Sequence, residues 1–157
     1  MEEYFDILTE NGEKTGQVKS RKEVHRCGDW HSAVHVWIIN RYKYDLRHIL
    51  PLRSKGEVLI QKRASCKDSW PDLWDIGCAG HISAGDTSLD TACKELHEEL
   101  GVELPASRFE FVITVRVQSI SNHGAFINNE FDDVYIVHAD DFPPLQTLKL
   151  QADEVGI

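Results

Sequence analysis

The stretch GHISAGDTSLDTACKELHEELGV, residues 80 to 102, gathers carboxylates at a spacing that weakens a helix. On a helical wheel Glu95, Glu98 and Glu99 share one arc, with Glu98 and Glu99 each a turn beyond Glu95. Like charges so placed cost roughly 0.2–0.5 kcal/mol per pair. They also crowd the helix C-terminus, where the macrodipole disfavours anions. A solvated acidic face is one reading. A divalent-cation site is the other, because Mg²⁺ and Mn²⁺ prefer hard oxygen ligands. The glycine-rich AGHISAG ahead of the helix favours the cation, since a tight fold-back would bring backbone amides near the carboxylates. In an acidic chain Arg21, Lys62, Arg63 and Lys67 are the candidates for anion contacts, with strand solvation or surface pairing as the plain alternative. Trp70 and Trp74, around Pro71, read as anchors pinning a loop to the core. Trp70 is also the residue to set against the organic part of a substrate.

The carboxylates need a helix to present them, and residues 87–100 supply it. Asp86 or Thr87 can cap the first amides, Gly101 closes the end, and Leu89, Ala92, Cys93, Leu96 and Leu100 form the apolar stripe. EYFDILTENGEKTG predicts a strand, a turn at Asn11-Gly12 and a return. GQVKSRKEVHRCGDWH reads as polar connecting chain, and AVHVWII as a core strand with His35 structural. A strand or turn around Pro51, a turn at Lys55-Gly56 and a strand EVLIQKR follow, and then the turn-rich ASCKDSWPDLWDIGCAG. FEFVITVRVQSI and EFDDVYIVHA predict two strands joined near Asn122-His123-Gly124; the remaining residues read as loop. Asp132, Asp133 and Glu154 could supply an outlying metal ligand or base, with solvated carboxylates as the plainer reading. His48, His97, His123 and His138 carry no strong signal. Strands around one well-marked helix make an α/β or α+β domain.

A chain of 157 residues is the size of one domain. Its hydrophobic fraction of 41% and charged fraction of 27% fit a globular protein. The net charge of −9 argues against a nucleic-acid polymer or an anionic membrane as partner, but a small charged substrate could still bind through cations. No apolar run reaches the roughly 20 residues that cross a bilayer. Cys27, Cys66, Cys78 and Cys93 lack CxxC spacing and read as free thiols, so the cytoplasm is the expected compartment.

Residues 80 to 102 resemble the Nudix box: Gly, five residues, Glu, seven residues, Arg-Glu, an aliphatic, any residue, Glu-Glu, any residue, Gly, aliphatic. Gly80, Glu95, Leu96, Glu98, Glu99, Gly101 and Val102 match in register, while Asp86 stands for the first Glu and Lys94 for the Arg. The resemblance implies an α/β Nudix fold over residues 1–157, a mixed β-sheet sandwiched by helices, C-terminally short of a last strand and helix. It implies water attack on a diphosphate, assisted by Mg²⁺ or Mn²⁺. Gly80, Asp86, Glu95, Glu98 and Glu99 would serve the metal, and Glu98 or Glu95 would orient or deprotonate the water.

VHRCGDWHSAVHVWI, LIQKRASCKDSWPDLWDIGCAGH and FINNEFDDVYIV extend the likeness to the subgroup that includes type I isopentenyl-diphosphate isomerases and plant-type hydrolases. That implies a second divalent ion held by His25, His31, His81 and Glu130, with Glu130 also a catalytic carboxylate and Asn128 standing where another acid is expected. The isomerases have a catalytic Cys before Gly-His. Here that residue is Ala79, and Cys78, one position early, would point to the other side of an extended strand. The expected function is therefore hydrolysis of an isoprenoid or nucleoside diphosphate derivative. Double-bond isomerisation and a catalytically weak diphosphate-binding protein are the alternatives, and a homodimer through an open apolar face is a further expectation.

Overall fold

The computed structural model describes residues 2–40, 57–67 and 70–156. The elements are β1 (Tyr4–Leu8), β2 (Lys14–Ser20), α1 (Arg21–Cys27), β3 (Trp30–Asn40), β4 (Glu57–Val58), β5 (Gln61–Arg63), β6 (Trp74–Asp75), β7 (Cys78–His81), α2 (Ser88–Leu100), β8 (Glu110–Ser121), β9 (Phe126–His138) and β10 (Val155–Gly156). The turns expected at Pro51 and Lys55-Gly56, and His48, lie outside the described residues.

β3 is the spine of a mixed seven-stranded sheet ordered β2-β1-β3-β9-β8. It runs parallel to β9, while its other edge carries β1, β7 and β4 in antiparallel pairing. A smaller sheet, β10-β5-β6, stands beside it. Alternation along the strands separates two faces. Val34, Val36 and Ile38 of β3, Cys78 of β7, and Tyr135 and Val137 of β9 pack with Ala92, Leu96 and Leu100 of α2 into the main core. The stripe read from the sequence therefore faces the sheet. Thr87, rather than Asp86, caps α2, its side chain accepting from the Asp90 amide at 3.2 Å. Gly101 ends the helix at φ 68°, and a Cβ there would approach Lys149 Cβ to 2.7 Å.

Three expectations need correction. The single strand read in EVLIQKR is broken into β4, in the large sheet, and β5, in the small one. The segment read as polar connection is β2 followed by α1. Seven helical residues show too little periodicity to register, but Ser20 and Glu23 form a capping box whose Ser-x-x-Glu signature stands in the sequence. The two tryptophans do not pin a loop to the core. Trp74 is 69% exposed and Trp70 51%, with Leu73 exposed between them.

Candidate metal centre and active site

The face of the sheet opposite α2 is polar at its centre. Ala33 and His35 of β3, Ala79 and His81 of β7, and Asn128 and Glu130 of β9 line a cavity of about 250 Å³. Arg21, Gln61, Arg63, Lys67, Trp70, Glu95, Glu99 and Glu154 close its sides.

Four residues from four elements converge: His25 of α1, His31 of β3, His81 of β7 and Glu130 of β9, with one potential ligand atom from each lying within 4.8 Å of the others. Register makes this meeting, because His31 pairs with Glu130 and Ala33 with His81. Backbone carbonyls set two of the rings. His25 Nδ1 lies 2.8 Å from Arg21 O and His31 Nδ1 3.0 Å from Asp29 O, so each Nδ1–H donates outward and each Nε2 turns a lone pair inward. Both Nε2 atoms are buried without a hydrogen-bond partner. Glu130 Oε1 is 3.3 Å from His31 Nε2 and 3.1 Å from His81 Nε2. Lone pairs facing a carboxylate across a buried gap call for a positive charge between them, so the donor set fits a divalent ion. Phe5 stacks on His31 and His81 at centroid distances of 5.3 and 4.8 Å, holding the rings in place.

The electrostatics agree. Burial pushes the His25 imidazole down to about 4, assisted by the charge of His81. Burial lowers His81 as well, against the pull of Glu130. The Glu130 carboxyl is pushed up by burial, but the adjoining His31 and His81 imidazoles outweigh this and hold it well below the carboxylate range. Asn128 Nδ2 donates to Glu130 Oε2, so the residue standing where an acid was expected supports the ligand.

A second acidic group comes from α2. Burial raises the Glu95 carboxyl to about 7, assisted by the charge of Glu98. Burial also raises Glu99 to about 8, against the hydrogen bond that Gln61 Nε2 donates to it at 2.8 Å. Of the three glutamates on the arc, Glu95 and Glu99 line the cavity and Glu98 is exposed outside that lining. Asp86 is exposed ahead of α2 and does not line the cavity, whereas Gly80 does.

Among the predicted anion contacts, Arg21, Arg63 and Lys67 line the cavity, as does Trp70. Lys62 does not, and pairs with Asp72 at 3.3 Å. Arg21 is paired with Glu3 at 2.7 Å, Arg63 with Asp75 at 2.8 Å, and Lys67 with Glu154. Ala79 lines the cavity while Cys78 is buried in the core, its thiol pushed well up by burial. Asp132 is no solvated carboxylate, being 1% exposed, and its neighbour His35 lines the cavity. Their signal was period two from His31 and Glu130, which puts His35 and Asp132 on the same face as those two residues.

The NUDIX domain model matches residues 41–155, and the chain belongs to the NUDIX family. It is 51% identical over 155 residues to Nudix hydrolase 3 of Arabidopsis thaliana, covering 99% of this chain but only 18% of that protein. An uncharacterized Nudix hydrolase of Listeria monocytogenes is 36% identical, with 98% of this chain and 76% of the relative covered. An isopentenyl-diphosphate Delta-isomerase of Pectobacterium atrosepticum is 30% identical, over 96% and 71% of the two chains. Among solved structures, DR0079 from Deinococcus radiodurans shares the fold at TM-score 0.64 and 19% identity, covering 98% of this chain and 80% of its own. A cluster able to hold a divalent metal within a NUDIX domain is consistent with divalent-metal-dependent diphosphate hydrolysis.

Proposed function

We propose that this chain hydrolyses the diphosphate linkage of a small organic diphosphate, using Mg²⁺ or Mn²⁺ at the Glu95 and Glu99 carboxylates and a second divalent ion at His25, His31, His81 and Glu130. The observation that carries this reading is the pair of buried Nε2 atoms of His25 and His31, without a hydrogen-bond partner and grouped with His81 and Glu130, beside the cavity that His81, Glu130, Glu95 and Glu99 line. Imidazole donors suit Zn²⁺, with the Glu130 carboxylate admitting Mn²⁺, whereas the α2 carboxylates suit Mg²⁺ or Mn²⁺. When bound, such ions offset phosphate charge and make water a stronger nucleophile near neutral pH. Glu95 and Glu99 orient that water, with Glu98 adding negative charge from the rim. Asp86 stands exposed in the turn ahead of α2, where its backbone N–H donates to Ser83 O. Arg21, Arg63 and Lys67 exchange their carboxylate partners for phosphate oxygens, and Lys62 stays on the surface.

Finer assignments rest on less. The exposed apolar ledge of Trp70, Leu73 and Trp74 supports a substrate whose organic group is apolar, such as an isoprenoid. A thiol-free cavity wall at Ala79 favours hydrolysis over isomerisation. Exposed Phe111, Ile113 and Val115 on the edge strand β8 support a homodimer. No helix among the described residues is long and apolar enough to cross a membrane. The four unpaired cysteines support a reducing compartment such as the cytoplasm, and the net charge of −9 supports the absence of a nucleic-acid polymer partner.

A panel of isoprenoid and nucleoside diphosphates, assayed with Mg²⁺ and with Mn²⁺ for phosphate release and for allylic isomer, tests the proposal. Metal-dependent phosphate release, lost in Glu95→Gln and less affected in Glu98→Gln, is expected. Isomer formation as the main product would overturn it. Metal-dependent binding without turnover would leave a binding protein.

A further inference from the structure

His35 and Asp132 form a pair on the cavity floor that the metal-capable groups do not include. Asp132 follows Glu130 by two residues on β9 and so faces the same side of the sheet. It is 1% exposed, its Oδ1 has no hydrogen-bond partner, and its Oδ2 lies 3.5 Å from His35 Nε2. Its cross-strand neighbours are Ala33 and Val115, neither of which offers a side-chain polar group. A carboxyl so enclosed is costly without a partner, and an apolar residue would serve the sheet better. The His35 ring, which lines the cavity above it, lies within ion-pair reach of this carboxyl. On β7 the residue opposite His35 is Ala79, whose methyl group leaves the space beside the ring open. One side of the ring is thus held from below, while its edge borders the volume that would receive a substrate.

We propose that His35 is a substrate-contacting residue that hydrogen-bonds a phosphate oxygen of the bound diphosphate, and that Asp132 is the positioning residue that holds its ring. This rests on the diphosphate reading of the same cavity. The contact with Asp132 is longer than a good hydrogen bond, as expected of a pair that tightens when an anion occupies the other side of the imidazole.

The test is calorimetric binding of methylenediphosphonate in the presence of Mg²⁺, alongside Mn²⁺ alone, to the wild type, His35→Ala, His35→Gln and Asp132→Asn. Loss of one hydrogen bond to a charged group predicts about tenfold weaker diphosphonate binding in His35→Ala. Partial rescue in His35→Gln and a smaller loss in Asp132→Asn are also expected, with Mn²⁺ affinity unchanged in all three. Turnover should show the His35→Ala effect mainly in KM. Unchanged diphosphonate binding in a folded His35→Ala variant, or binding in His35→Gln as weak as in His35→Ala, would overturn the proposal. So would loss of Mn²⁺ binding in parallel, which would make the pair a prop for the metal centre. A wild type that binds no diphosphonate would bring down the diphosphate reading itself, and this inference with it.

Discussion

The backbone of Gly80 on β7 lies against the side chain of Glu95 on α2: a Cβ at residue 80 would overlap the Glu95 Cγ, Cδ and Oε1 atoms. Glycine at the start of the box is therefore a matter of clearance. It lets a helix packed on one face of the sheet pass a carboxylate across the short strand β7 to the cavity. Gly80→Ala is expected to push Glu95 aside and lower diphosphate hydrolysis on the order of 100-fold. Overpacking of this kind costs about 1–3 kcal/mol of stability, so the variant should still fold, as a thermal melt beside the activity assay would report.

Glu130→Gln removes the anionic member of the His25, His31, His81 and Glu130 cluster. Mutation of outer-shell partners alone weakens metal sites by about 10–100-fold, and loss of a ligand should exceed that. Calorimetry with Mn²⁺ should show one class of site lost, while a weaker class at Glu95 and Glu99 persists. Retention of all sites would remove the cluster from the metal chemistry.

Stability should depend on pH with an unusual sign. Burial raises Glu95 to about 7 and Glu99 to about 8 from an ordinary 4.5. With folded values above unfolded ones, the stabilising contribution is full below about 4.5 and disappears as pH climbs through 7 and 8. The metal-free protein should therefore lose thermal stability between pH 5 and 9 through these two groups. Mg²⁺ or Mn²⁺ should restore it by favouring the ionised carboxylates. Melting curves across that range, with chelator and with metal, check the slope. The double variant Glu95→Gln/Glu99→Gln should flatten it.

Ala79→Cys should create a thiol in the cavity wall, where Cys78 offers none. An alkylating reagent should modify residue 79 and leave Cys78 untouched, because Cys78 is buried in the core and burial holds its thiol well above the usual range. Prior addition of Mg²⁺ and methylenediphosphonate should slow the labelling. Peptide mass mapping reads both results.

Much of the site was legible because it repeats with the period of its elements. A helix of 3.6 residues per turn turns the order of Leu89, Ala92, Leu96 and Leu100 directly into a buried stripe, and places Glu95 and Glu99 on one adjoining side. Period two likewise fixed that Ala79 and Cys78 point apart. Local order could not say which of three clustered glutamates reach into the cavity. That depends on how α2 packs against β7, where Gly80 lies against Glu95; Glu95 and Glu99 reach the cavity and Glu98 stays outside.

Pairing between distant strands decided the rest. His31 meets Glu130 because β3 and β9 run parallel in one register, and that same register sets Asp132 beneath His35. Nothing within AVHVWII distinguishes a histidine facing core from one facing a cavity until it is known which face α2 covers. Sequence alone determined the helix, its stripe and the types of residue available for metal chemistry, since these follow from local periodicity. Tertiary structure decided which side chains share a cavity, since that follows from long-range register.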